Sequence, residues 1–150
     1  MDVKKPYAQA VTIRGDDRGT FMPFLNDANS LPDQKGLAIK RVYYVYNYGK
    51  GVIRGFHFHK KEWKYFIVVS GAAKFVALDP EKPEEKFTFI SSSRMPNLVV
   101  VPPGFANGSV SLEDNTILVC GSTASFEESI ADDQRFDPYK WGDVWAVKGR

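Results

Sequence analysis

Short apolar runs separated by turn signals fill the chain from end to end. The runs are AQAVTIR (8–14), GTFMPFL (19–25), AIKRVYYVYN (38–47), KYFIVVSG (64–71), AAKFVALD (72–79), EKFTFI (85–90), NLVVVPPG (97–104) and TILVCGST (116–123). They are rich in Val, Ile, Phe, Tyr and Thr, residues that suit a pleated, half-buried surface. Between them fall GDDRG, NYGKG, DPEKPEE, MPN and LEDN, where Gly, Pro, Asn and Asp favour reversal of the chain. KYFIVV and LVVVP are apolar at consecutive positions, which predicts strands covered on both faces. The other runs alternate better and predict one covered face. Helical periodicity is confined to PDQKGLA (32–38) and FEESIADDQRF (126–136), each long enough for a turn or two.

No internal repeat, low-complexity tract or linker interrupts this pattern. Many short antiparallel strands at this length predict an all-β fold, a sandwich or jelly roll, in a single domain over residues 1–150. An immunoglobulin-type sandwich is disfavoured because its Cys…Trp…Cys spacing is missing.

Composition narrows the function classes. The net charge of +2 is too small to argue for a nucleic-acid partner or a membrane surface, while a small anionic ligand needs only a few local arginines. Cys120 is the only cysteine, which excludes an intrachain disulfide or a thiolate metal cluster and fits a reducing compartment. The N-terminal residues lack the apolar run of a signal peptide, and no segment approaches the length of a membrane span. A soluble cytoplasmic protein is the expectation.

Candidate chemistry concentrates in RGFHFHKK (54–61), which holds both histidines of the chain. On a strand His57 and His59 share a face, with Arg54 and Phe58 mostly on the other. Three readings compete. The pair can be a solvated strand end. It can ligate a metal: His57, His59 and Glu62 resemble the first half of a metal-binding cupin motif. Against this, Asn107 in VPPGFANGS stands where such a motif takes a further histidine, and Glu62 is spaced too close to His59. It can move a proton. A neutral imidazole beside a carbonyl-activated C–H needs only a cation to hold the enolate oxygen, and Lys64 and Arg54 flank the pair. The apolar neighbours of Lys64 place it inside or at the mouth of the barrel.

DDRGTFMPF, IKRVYYVYN, GVIRGFHFHKK, VVSGAAKFVALD and VPPGFANG occur in the order found in nucleotide-sugar-modifying cupins. The chain resembles this group, the dTDP-4-dehydrorhamnose 3,5-epimerases and dTDP-sugar 3,4-ketoisomerases, over roughly residues 11–130. The resemblance implies a cupin-type double-stranded β-helix (jelly-roll) barrel and a homodimer that exchanges N-terminal strands. It implies a dTDP- or CDP-linked hexose as substrate, and no cofactor or metal. IKRVYYVYN…RGFHFHKK is similar to the ketoisomerases, PPGFANG to the epimerases.

By this resemblance His57 is the base at C3 and Lys64 its oxyanion partner, with His59 a further catalytic candidate. Arg54 lines the site, and Arg18 contacts the nucleotide from the neighbouring subunit. Arg41, Tyr44, Tyr46 and Asn107 complete the candidate substrate-binding set. Leu118 stands where the double epimerases carry a tyrosine acid, so epimerisation at C3 alone is expected, with Tyr44 or Tyr46 as replacement acids. Asp137 and Asp143 are candidates for the carboxylate behind His57. Trp141 and Trp145 are read as a lid or a dimer contact. A 3,4-ketoisomerase and a non-catalytic nucleotide-sugar or metal-binding cupin remain the alternatives.

Overall fold

The computed structural model describes residues 5–25 and 37–149. Most of PDQKGLA therefore lies outside the described residues. The strands are β1 (Tyr7–Ala10), β2 (Arg14–Asp16), β3 (Gly19–Phe21), β4 (Arg41–Asn47), β5 (Ile53–Phe58), β6 (Lys64–Ser70), β7 (Ala72–Leu78), β8 (Lys86–Ser92), β9 (Asn97–Val101), β10 (Ala106–Ser111), β11 (Thr116–Ser122) and β12 (Gln134–Arg135). One helix, α1 (Phe126–Asp132), precedes β12. Two five-stranded antiparallel sheets face each other, in the orders β1-β9-β6-β11-β4 and β12-β5-β10-β7-β8. The β2–β3 hairpin is a separate ribbon whose six residues are all exposed.

The interior between the sheets is filled by Phe66, Val68, Phe75, Val99, Val101, Leu118 and Cys120, with Phe66 and Phe75 packed ring to ring at 5.4 Å. The outer faces are covered as well. Residues of the N-terminal segment, among them Val11, Met22 and Phe24, lie over Tyr65, Ile67, Leu98 and Val100. The C-terminal segment lays Phe136, Trp141 and Trp145 against Phe56, Val76 and Leu78. This double cover explains why Tyr65–Val68 is apolar at every position. Each such side chain gains roughly 1.5–3 kcal/mol from burial.

Sequence parity places the site. On the first sheet Arg41 pairs with Ser122, and Ser122 with Lys64. One step along, Tyr43 pairs with Cys120, and Cys120 with Phe66. Two-residue periodicity turns all six inward. The interior thus carries a polar layer at one end and becomes apolar below it. The β6–β7 connection is tight because Gly71, at φ 75°, backs onto Thr116; a Cβ there would lie 2.4 Å from Thr116 Oγ1.

Candidate active site

A cleft of about 280 Å³ opens at the polar end, between β4, β6 and β11 on one side and β5 and β10 on the other, with α1 at its rim. Arg41, Arg54, His57, His59, Lys64 and Asn107 all line it. Arg54 is a correction. Simple alternation sets it on the opposite face from the histidines, yet it shares their cleft. The cause is a bulge. Asn107 pairs with His57 and Ser109 with Arg54, so three steps on β5 match two on β10. The extra residue flips the parity of everything before it. Arg54 Nε then donates to Asn47 Oδ1 at 2.6 Å. Phe58 stays on the outer side, against Phe136.

His57 is partly open to the cleft, its side chain 37% exposed, and its Nδ1 lies 3.3 Å from Asp133 Oδ1. An ionised Asp133 keeps the imidazole proton on Nδ1 and leaves a lone pair on Nε2. Burial pushes the His57 pKa below the usual imidazole value, the nearby Lys64 ammonium pushes it further, and Asp133 opposes both. Asn107 Nδ2 donates to the His57 carbonyl at 3.3 Å, steadying the backbone of the base.

His59 is buried behind it. Its Nδ1 lies 3.0 Å from Glu62 Oε2, off the line of an ideal hydrogen bond. Its Nε2 lies 3.5 Å from Asp133 Oδ1. Glu62 is itself buried and saturated. Ser122 Oγ donates to Oε1 at 2.5 Å, Arg41 Nη2 to the same oxygen at 3.1 Å, and Ser129 Oγ to Oε2 at 3.0 Å. Among the described residues no three His, Cys, Asp or Glu side chains converge as a metal-ligand set.

Lys64 is 7% exposed, and its ammonium makes no ion pair or hydrogen bond with the described residues. A buried ammonium with no counter-ion among those residues is suited to meeting an anion. The cleft thus contains an imidazole with a carboxylate behind it, an ammonium without a counter-ion among the described residues, and the guanidinium groups of Arg41, Arg54 and Arg135. That set suits proton abstraction next to a ketone.

The comparisons with known proteins agree with this chemistry. The family model described as dTDP-4-dehydrorhamnose 3,5-epimerase matches residues 1–142. The chain belongs to that family. Direct comparison with curated proteins finds no match. Among solved structures it is similar to ChmJ, a 3'-monoepimerase from Streptomyces bikiniensis in complex with dTDP-quinovose (20% identity, 97% of this chain and 77% of that one, TM-score 0.82). It is similar to the dTDP-4-dehydrorhamnose 3,5-epimerase of Bacillus anthracis (24%, 96% and 86%, TM-score 0.79). It is also similar to QdtA, a sugar 3,4-ketoisomerase from Thermoanaerobacterium thermosaccharolyticum (19%, 90% and 90%, TM-score 0.69). Likeness at these identities establishes the jelly-roll architecture, and the protein is an enzyme of the dTDP-sugar epimerase and isomerase family.

Several residues of this epimerase-family protein lie elsewhere than the sequence reading had them. Tyr44 is 69% exposed and Tyr46 40%, both on the outward parity of β4, so neither lines the cleft. Tyr43, between them and Arg41, does line it. The signal was available: Arg41, a charge on an apolar strand, shares parity with 43 and not with 44. Burial drives the Tyr43 pKa far above the usual phenol value, and the neighbouring Cys120 adds to this. Leu118 is fully buried in the cleft wall.

The carboxylate behind His57 is Asp133, and neither Asp137 nor Asp143. Those two cap loop turns, accepting from the amides of Tyr139 and of Trp145 and Ala146 respectively. Asp133 arrives by another route. Ser125 and Glu128 form a capping box that starts α1, and β12 pairs with β5 through Gln134–Phe58 and Arg135–His57. Asp133 lies at the junction, and Arg135 Nε donates to its Oδ2 at 2.9 Å, which helps hold its carboxyl below the usual range.

Arg18 sits on the exposed β2–β3 hairpin, paired with Asp16 at 2.5 Å, and is not part of its own chain's cleft. Trp145 is 3% exposed, packed on Phe56, and donates from Nε1 to the Pro138 carbonyl at 2.9 Å. It covers the outer sheet face and is no lid.

Proposed function

We propose that this enzyme epimerises a nucleotide-linked 4-keto-6-deoxyhexose at C3. One observation carries the reading: His57 and Lys64, an ammonium without a counter-ion among the described residues, face one cleft, and the wall residue Leu118, which by the resemblance stands where the double epimerases carry a tyrosine, is apolar. His57 takes the C3 proton on Nε2, and the electron pair moves into an enolate whose C4 oxygen meets Lys64. Tyr43, whose phenol holds its proton at neutral pH, returns a proton to the opposite face. Water then reprotonates the phenolate and deprotonates His57, so no proton is consumed. Arg41 and Arg54 meet the diphosphate. In a homodimer with exchanged N-terminal strands, the exposed β2–β3 hairpin brings Arg18 to the partner's nucleotide. The ChmJ complex with dTDP-quinovose and the Bacillus anthracis complex with TDP support a thymidine nucleotide, and a CDP-sugar is the alternative to test.

A second reading, 3,4-ketoisomerisation, is favoured by one observation. His57 and His59 lie on the same wall and both approach Asp133 Oδ1, an arrangement suited to shuttling a proton along one side of a sugar. The test is incubation with dTDP-4-keto-6-deoxyglucose in D2O, followed by NMR, and repeated with the CDP-sugar. Deuterium at C3 with the ketone still at C4 is expected. Deuterium also at C5 would restore the double epimerase, and a ketone at C3 the ketoisomerase. Tight binding without incorporation of deuterium would overturn catalysis at this site.

A further inference from the structure

Asp133 presents two oxygens to three nitrogen-bearing groups. Oδ2 accepts from Arg135 Nε at 2.9 Å. That leaves Oδ1, which lies 3.3 Å from His57 Nδ1 and 3.5 Å from His59 Nε2. Two imidazoles therefore compete for one carboxylate oxygen. If His57 is to keep its proton on Nδ1, with a lone pair for the substrate on Nε2, it must win that competition.

A neutral ring carries one N–H. His59 can place it on Nε2, 3.5 Å from Asp133 Oδ1, or on Nδ1, 3.0 Å from Glu62 Oε2 though off the line of an ideal hydrogen bond. The Glu62 carboxylate is held in place by donors from Arg41, Ser122 and Ser129, so it is anchored. It cannot turn away, and a lone pair on His59 Nδ1 would oppose it directly. We propose that Glu62 is a positioning residue: it keeps the His59 proton on Nδ1 and thereby reserves Asp133 Oδ1 for His57. The assignment rests on His57 being the base.

The other charges around the two rings are Lys64 from β6, Arg135 from β12 and Asp132 from the end of α1. Burial and Lys64 push the His59 pKa down, while Glu62, Asp133 and Asp132 raise it, and the ring stays below its usual value. At neutral pH it is uncharged, which is the state in which its tautomer matters.

Glu62→Gln reverses the arrangement. Oε1 faces two donors, Ser122 Oγ and Arg41 Nη2, so the amide oxygen must stay there. The amide nitrogen then takes the Oε2 place and points a donor at His59 Nδ1. His59 must accept on Nδ1, move its proton to Nε2 and donate to Asp133 Oδ1 in competition with His57.

Imidazole 15N NMR tests this without substrate. The chain has two histidines, and His57→Asn assigns the spectrum. In the wild-type enzyme near pH 8, His59 is expected as the Nδ1–H tautomer. Finding it as Nε2–H would overturn the proposal with no variant needed. In Glu62→Gln, His59 is expected to switch to Nε2–H and His57 to become a mixture of tautomers. With substrate, kcat should fall roughly tenfold with KM within about twofold, the pattern of a lost orienting contact. An unchanged His57 tautomer in the folded variant, or an unchanged kcat, would sink the idea. Absence of any α-proton exchange in the wild-type enzyme would defeat the proposed function, and the tautomer measurement would still decide the role of Glu62.

Discussion

The β5 wall of the cleft carries two imidazoles that meet one carboxylate oxygen, whereas the facing wall of β4 and β11 presents Tyr43, Val45 and Leu118. On the first wall burial lowers the proton affinity of both imidazoles, and charges of both signs adjust it. On the second, burial raises that of a phenol. His57 is poised between Lys64 and Asp133, so it can take up a proton and give it back. Tyr43 is buried beside Cys120, so its phenol holds a proton tightly. Burial disfavours the charged form of each group, so the imidazole stays neutral with a free lone pair and the phenol keeps its proton. That asymmetry suits removal from one side of the sugar and delivery from the other.

Substitutions on each wall can break this division. The largest effect is expected from His57→Asn, which removes the base and should cut C3 proton exchange by about 10³-fold. Exchange at the wild-type rate, followed by NMR in D2O, would contradict the assignment. Lys64→Gln removes the enolate cation and should lower kcat about 10²-fold. It also removes a charge that disfavours the imidazolium, so the His57 pKa should rise. Because the base must be neutral, the acid limb of the kcat/KM profile should move to higher pH; a limb that stays in place would separate Lys64 from His57.

Tyr43→Phe tests the second wall by itself. C3–H exchange should stay within about threefold, while formation of the inverted product drops by roughly 10²-fold. Equal losses in both would return Tyr43 to a packing role. The smallest effect on chemistry is expected from Trp145→Ala, which belongs to neither wall. It empties a buried site behind Phe56 and should cost about 3–5 kcal/mol of stability. Activity at temperatures where the variant stays folded should be nearly unchanged, as denaturation curves beside rate measurements would reveal.

The hydrophobic pattern made most strands legible, because β4, β6, β7, β8, β9 and β11 each carry a visible apolar run. β10, with the sequence ANGSVS, shows no apolar run and is held as a strand between β5 and β7. The histidine motif marked the cleft correctly, as did the apolar setting of Lys64. Arg54 was misplaced because a bulge obeys the register between two strands, which a single run of residues does not display. Tyr43 was passed over because two tyrosines of the wrong parity stood beside it. Asp133 reaches His57 across a sequence separation of 76 residues, and that proximity depends on a helix, its cap and a two-residue strand acting together.

The segment from α1 onward has a consequence for the newly made chain. The same residues that seal the outer face of the second sheet also deliver Asp133, through β12 and the reciprocal Phe56–Phe136 backbone hydrogen bonds at 3.1 and 2.9 Å. A polypeptide halted before residue 133 would already hold His57, His59 and Lys64, yet it would lack the carboxylate that orients the base. Synthesis from the N-terminus therefore switches the site on last, after the barrel strands have been made. An unfinished barrel would have an exposed apolar face and an idle histidine at once, so aggregation-prone intermediates and active enzyme would be separate populations.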